Sequence, residues 1–234
     1  MEQLDGQTVG LVMGLGMGGG IFYYRSLVEE HRSRGLSADL LMVHADVNRV
    51  LGHVAARETR ELAVYLAGLL QRLADGGAKL ATIPAFAPQV CAEELAVLSP
   101  LPLVDPVDVI ADEVQRRGLR RVALFGNRAT VECKLFGALK DRAEVISPRR
   151  DEIDLVHEVY TRVAARAQAS QEEYETLRGL AHELIARERL DAIVLAGTDL
   201  SFVFRPDNTD FPHVDGARVH VAEIMRRIAA LQEL

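Results

Sequence analysis

The side chains of this 234-residue chain that could do chemistry sit just after apolar runs. Thr198-Asp199 closes the run Ala192-Ile193-Val194-Leu195-Ala196-Gly197, so a carboxylate follows a segment patterned as a buried strand. Such a group suits a general base, or a brace that accepts backbone N–H bonds from its own loop. Cys133 lies three residues after Thr130 at the start of a helical pattern. A thiol in a first helical turn is acidified and suits proton transfer, whereas small residues there also simply donate a hydrogen bond or pack. His44 and Asp46 end another run, with Asn48 and Arg49 just beyond, and bring a near-neutral titrating group and a cation for a carboxylate. His213 and His220 flank Asp215. The run Gly14-Leu15-Gly16-Met17-Gly18-Gly19-Gly20 contains Gly-x-Gly-x-x-Gly, yet Asp46 lies past the strand end where a dinucleotide fingerprint wants its acid. The turn at Gly16 is read instead as admitting a small carboxylate, or as tight packing of strand on helix.

The elements that must hold these groups occur twice. Val9–Val12, Leu80–Ile83 and Leu103–Val104 are answered by Val122–Phe125, Ala192–Ala196 and the Val214-Asp215 segment, with Leu40–Val43 and Ala143–Ile146 as further strands. Helical patterns cover Phe22–Ser33, Val54–Asp75, Pro88–Leu98, Val107–Arg117, Thr130–Lys140, Ile153–Ala167, Gln171–Arg187 and Val219–Leu231. Strands alternating with helices predict an α/β protein of two pseudo-symmetric lobes, each a parallel sheet flanked by helices. The first lobe is expected to comprise residues 1–106 plus 214–234, with the last helix returning to it, and the second lobe residues 107–213. Ligands of such sheets bind outside the carboxyl ends of the strands.

With 34 acidic residues against 27 Lys and Arg, the formal charge of -7 offers nucleic acid or an anionic membrane no broad attraction. Two cysteines make no disulfide framework, no Cys/His cluster has zinc spacing, and Cys91 reads as core. No metal is therefore expected. No apolar run reaches the roughly 20 residues that span a bilayer, and the first residues lack a signal-peptide pattern, so a cytoplasmic protein is the expectation.

Val9-Gly10-Leu11-Val12-Met13-Gly14-Leu15-Gly16-Met17 followed by Phe22-Tyr23-Tyr24-Arg25 resembles the Gly-rich opening of the aspartate/glutamate racemase superfamily, usually GxxGGMGPxAT. Val43-His44-Ala45-Asp46, Ala129-Thr130-Val131, Ala196-Gly197-Thr198-Asp199-Leu200 (for GCTEL) and Val214-Asp215 through His220 follow in the family's order, across essentially the whole chain. The resemblance implies racemisation without a cofactor by two cysteines, one from each lobe, acting on opposite faces of a small amino-acid-like carboxylate, in a homodimer. Both cysteines are missing. The usual PCNT reads Pro84-Ala85-Phe86-Ala87, and Gly197 stands at the second thiol position. A methyl group and a hydrogen carry no proton, so two-thiol racemisation at these positions is excluded.

The resemblance then implies either an enzyme with a non-thiol base, acting as isomerase, lyase, hydrolase or decarboxylase, or a carboxylate-binding protein without catalysis. The candidate catalytic residues are Asp199 and Cys133. Gly16, Asn48, Ala85, Phe86, Thr130, Gly197 and Thr198 are the candidate substrate contacts. Phe86 with Phe202, Phe204 and Phe211 reads as an aromatic wall for a substrate or as a packed lobe junction.

Overall fold

The computed structural model describes residues 8–232. The first sheet has the order β2 (Leu40–His44), β1 (Val9–Met13), β3 (Leu80–Thr82), all parallel, with Val9 in register with both Leu40 and Leu80. The second has the order β5 (Glu144–Val145), β4 (Arg121–Gly126), β6 (Ala192–Ala196), β7 (His213–Asp215), again parallel, and pairs Gly126 with Ala196 at the carboxyl end. Helices cover both faces, which is why β6 is buried along its whole length and reads as an unbroken apolar run. The protein is an α/β fold of two parallel sheets flanked by helices.

The expected strand at Leu103–Val104 is reduced to one parallel bridge, Ala81 to Leu103, in the position that β7 takes in the other sheet. Pro102 precedes it, and Asp105 follows as N-cap of α5 (Pro106–Arg116), leaving no room for a longer ladder. After that bridge α5 crosses to the second sheet, where Val107, Ile110 and Val114 pack with Val122, Leu124 and Val214. α9 (Gly216–Gln232) makes the reciprocal crossing, setting Ile224, Met225 and Ile228 among Val9, Leu11, Leu27 and Leu80. Each of these α9 side chains is at most 1% exposed, worth about 1.5–3 kcal/mol apiece on burial. The crossings hold the two sheets together.

Three helices differ from the sequence pattern. α1 (Met17–Ser33) begins at Met17 rather than Phe22, carrying the glycines into its first turn. The expected helix Val54–Asp75 is two, α2 (Val47–Ala56) and α3 (Thr59–Asp75): Asp46 caps α2 by accepting from the Asn48 and Arg49 amides, and Arg57 ends it with a left-handed φ of 59°. The pattern Thr130–Lys140 contains only α6 (Arg128–Glu132), because Lys134, Leu135, Phe136 and Gly137 all take positive φ. A short 3-10 turn over Ala87–Cys91 leads into α4 (Ala92–Leu98), and α7 (Arg150–Arg166) and α8 (Gln171–Glu188) flank the second sheet.

Candidate functional site

The turn after β6 carries the polar groups of the lobe junction. Thr198–Phe202 forms a 3-10 turn against the first turn of α1. Asp199 is 2% exposed. Its Oδ2 accepts hydrogen bonds from the Tyr160 hydroxyl at 3.2 Å and from Thr198 Oγ1 at 3.3 Å. Its Oδ1 has no well-formed partner and stands over the Gly18-Gly19 backbone, where a Cβ on Gly18 would lie 2.2 Å from it. A Cβ on Gly19 would lie 2.5 Å from Thr198 Oγ1. Two adjacent glycines are what let the second lobe's Thr-Asp pair reach the α1 backbone.

The N-cap of α1, Gly16, offers no side-chain acceptor, and the Asp199 carboxyl stands above that helix end from the other lobe. Tyr160, Thr198 and the Gly19 amide all favour its ionised form. Burial outweighs them and raises the Asp199 carboxyl above the ordinary carboxylate range. The result is a carboxyl that holds a proton more firmly than a surface aspartate and is a stronger base when ionised.

At Gly197 and Ala85, the two positions that the resemblance gives to thiols, the surroundings differ. A Cβ on Gly197 would lie 2.5 Å from Cε2 and 3.1 Å from Cδ2 of Tyr160, so a phenol from α7 covers the glycine. Burial first, then the Asp199 charge, pushes that phenol well above its usual range and keeps it neutral. Ala85 is 8% exposed, with its amide donating to Ile83 O at 2.7 Å and its carbonyl accepting from Gln89 Nε2 at 2.8 Å. Gln89 also donates to Ile83 O. The first-lobe turn is thus closed by amide hydrogen bonds and shows no proton-transfer side chain in its place.

Phe86 is buried among Val107, Ile110, Val131 and Val214, joining the turn after β3 to the second lobe. Phe204 and Phe211 pack edge to face at 5.1 Å inside the second-lobe core. Phe202 is half-buried against the cores of both lobes, so Phe86 and Phe202 join the lobes while Phe204 and Phe211 belong to the second-lobe core.

Thr130 is 1% exposed, its amide bound to Asn127 Oδ1 at 3.0 Å and its Oγ1 without a partner. It lies one turn beyond Gly126, next to the end of β6. Cys133 is not in the first turn of a long helix as expected. It caps the carboxyl end of the five-residue α6, and its sulfur accepts the Phe136 amide at 3.3 Å. Burial pushes this thiol up rather than down.

Asn48 is exposed on α2, Asp46 caps that helix, and Arg49 stacks over Tyr65 at 4.2 Å. Asp46, whose amide donates to the Tyr65 hydroxyl at 2.8 Å, and Arg49 tie α2 to α3. His44 and Gly16 line an apolar recess of about 450 Å³ with Met13, Met17, Gly20 and Val47. Gly16 faces both this recess and Asp199, whose Oδ2 lies 3.9 Å from the Cβ position of Gly16. His220 is fully buried, its Nδ1 paired with Tyr23 Oη at 2.7 Å and its Nε2 with Val104 O at 2.9 Å and Thr82 Oγ1 at 3.1 Å. Burial lowers it to about 4, so it is a neutral link between α9 and the first sheet. Among the described residues no group of three or more His, Cys, Asp or Glu side chains could hold a metal ion, and no helix is long and apolar enough to cross a membrane.

The profile of the Asp/Glu/hydantoin racemase family matches residues 12–224. The chain belongs to that family. Similar solved structures include an aspartate racemase homologue from Pyrococcus horikoshii, with a TM-score of 0.81 and 19% identity over 95% of this chain and 99% of that one. Picrophilus torridus aspartate racemase gives 0.72 and 17% over 96% and 95%. An arylmalonate decarboxylase gives 0.51 and 14% over 94% and 92%. No curated protein matches the sequence.

Within this Asp/Glu/hydantoin racemase fold, sequence reasoning missed Tyr160 and singled out Gly16 where Gly18 and Gly19 make the close approaches. Tyr160 follows Val156 and Val159 and precedes Val163 on the buried stripe of α7, and one aromatic in such a stripe reads as core. The available signal was Gly197 itself, since a missing side chain beside a buried strand leaves a volume that another residue must fill.

Proposed function

We propose that this member of the racemase family binds a small, amino-acid-like carboxylate between its lobes and transfers a proton on one face of it, with Asp199 as the base. The observation that carries this reading is the Asp199 carboxyl: buried, raised above the ordinary range, with one oxygen unpartnered, at the carboxyl end of β6. Racemisation in both directions needs a group on each face, and Ala85 supplies only a methyl group. Isomerisation or decarboxylation followed by protonation from one side needs a single group. The family fold is shared with an arylmalonate decarboxylase as well as with racemases, so the scaffold itself is compatible with either. In this reading Thr130 Oγ1 donates to the ligand carboxylate, the recess beside Gly16 is the way in, and no cofactor takes part.

The test is proton NMR in D₂O with aspartate, glutamate, hydantoins, maleate and aryl- or alkylmalonates. One acid is expected to exchange a carbon-bound proton or give a single-enantiomer product. Asp199→Asn should then slow it by about 10²–10⁴-fold with the melting temperature little changed. Turnover that survives Asp199→Asn refutes the assignment.

A second reading is a binding protein without catalysis. It is favoured by the lack of a proton-transfer side chain at both Ala85 and Gly197, with Phe86 and Ala87 in place of the Asn and Thr of the usual PCNT. Line broadening of one acid with no conversion after long incubation would establish it.

A further inference from the structure

We infer that Tyr160 has taken the place of the second-lobe thiol: its ring fills the space that a side chain at position 197 would occupy, and its hydroxyl holds Asp199 in the ligand site. The ligand part of this inference rests on the function proposed above; the exchange of position does not.

The geometry makes side chains at positions 160 and 197 mutually exclusive. A Cβ at 197 would lie 2.5, 3.1 and 3.3 Å from Cε2, Cδ2 and Cζ of Tyr160, so it meets the body of the ring and not a loose end. The ring cannot simply swing away. It packs against the second-lobe core beside Val156, Val159 and Val163, and its hydroxyl is bound to Asp199 Oδ2 at 3.2 Å. A cysteine at 197 and a tyrosine at 160 therefore do not fit together, and the chain carries the tyrosine.

What replaces the thiol differs in kind from it. The buried phenol beside Asp199 does not ionise, so no phenolate base is present, and the hydroxyl keeps its proton and donates it as a hydrogen bond. That donation fixes Oδ2 and leaves Oδ1 to do the work. In the proposed isomerisation Oδ1 takes a proton from one substrate carbon, the C–H electron pair stays on the substrate as an enolate, and the Asp199 carboxyl delivers a proton, exchangeable with solvent, to a different carbon of that enolate on the same face. Tyr160 is a positioning residue in this scheme. The side chain of residue 197 is lost because the ring needs its volume.

Four proteins test the exchange: the natural chain, Gly197→Cys, Tyr160→Ala and the double variant. Gly197→Cys alone is expected to lower the melting temperature by about 5 °C or more through overpacking. In the Tyr160→Ala background, Gly197→Cys should cost nothing further, because its clash is gone. An equal penalty in both backgrounds, or none in either, overturns the exchange. If Gly197→Cys does not fold, Gly197→Ala is read in the same pair of backgrounds: a penalty only beside Tyr160 supports the exchange, and an equal or absent penalty overturns it.

Tyr160→Phe tests the hydroxyl. It keeps the ring and should move the Asp199 carboxyl titration upward, followed by ¹³C NMR and assigned through Asp199→Asn, because a hydrogen bond to the ionised form is lost. If a substrate is in hand, kcat should fall about tenfold or more with KM little changed, and Tyr160→Phe/Asp199→Asn should be no slower than Asp199→Asn alone. An unmoved titration shows a purely packing role and refutes the positioning role. These stability and titration readouts need no ligand. A panel of acids that is neither bound nor turned over therefore sinks the proposed function alone, and an active enzyme indifferent to Tyr160→Phe sinks this inference alone.

Discussion

Gly18→Ala measures directly how closely the second lobe's carboxylate presses on α1. The added Cβ would lie 2.2 Å from Asp199 Oδ1, 3.0 Å from Phe202 Cε2 and 3.4 Å from the Ala167 Cα. A carbon and an oxygen settle at a little over 3 Å, so the carboxyl must retreat by about 1 Å while Tyr160 and Thr198 hold its other oxygen. Overpacking of this kind costs about 1–3 kcal/mol, and the better helix propensity of alanine returns about 0.5–1 kcal/mol. The expected balance is a loss of about 1–2 kcal/mol, which for a chain of this size lowers Tm by about 2–8 °C. Gly68→Ala is the control. Gly68 lies exposed inside α3 with open space where its Cβ would go, so the same substitution should gain up to about 1 kcal/mol and raise Tm by about 2–4 °C. Differential scanning calorimetry on both variants, and on each combined with Asp199→Ala, completes the cycle. Removing the carboxyl should erase most of the Gly18→Ala penalty and leave the Gly68→Ala gain intact. The reasoning is refuted if Gly18→Ala melts at or above the natural chain, or if its penalty is the same without Asp199.

Burial raises Asp105 to about 6 although it caps α5, so its folded pKa lies above the unfolded value and stability is lost as pH rises from about 4 through 6. Asp105→Asn keeps the cap acceptor and should add about 1–3 kcal/mol at pH 7.5 and little at pH 4, read by urea unfolding at both. His220 has the opposite sign: its folded value of about 4 lies below the unfolded one of about 6.5, so stability is lost as pH falls through that window, by roughly 3 kcal/mol at most. His220→Gln should lower stability overall and remove that slope; because Asp105 masks it in the natural chain, the comparison is made in the Asp105→Asn background. Burial pushes the Cys91 thiol up to about 12, so a thiol reagent at pH 8 should label only Cys133 in the folded protein, and slowly; Cys133→Ser should leave turnover within about twofold and Tm nearly unchanged.

What the residues announced was whatever one element decides alone. β6 is buried on both faces, so its run of five apolar residues needs no partner to be recognised. Asp105 before Pro106 marks the start of α5 by local chemistry. The helix expected at Thr130–Lys140 failed for a reason that periodicity hides. Val131, Leu135 and Leu139 are all buried, at helical spacing, yet four successive residues between them have left-handed backbone, and of those only Gly137 has the residue type that prefers it. The site was legible in its polar members and not in its packing. Thr198 and Asp199 stood out as a polar pair after a strand, but which glycines they touch depends on a helix from the other lobe. The exposure of Asn48 and the cap position of Cys133 follow from where α2 begins and α6 ends, and those boundaries were the ones misread.

Around Ala85 and Gly197, the positions that the family resemblance gives to thiols, the two lobes are closed in unlike ways, and the difference bears on what the junction can do. On the first-lobe side Gln89 ties the backbone around Ala85 by donating to the Ile83 and Ala85 carbonyls. On the second-lobe side a phenol fills the volume, while Asp199 Oδ1, over the Gly18-Gly19 backbone, has no well-formed partner and Thr130 Oγ1, on α6, has none. Each unpaired buried polar atom costs about 1–3 kcal/mol, a large share of the 5–15 kcal/mol that holds a domain folded. If the proposed function holds, a small carboxylate whose oxygen accepts from Thr130 Oγ1 binds the folded chain alone, so its binding should raise Tm in proportion to RT ln(1 + [L]/Kd), and Thr130→Val should weaken that rise.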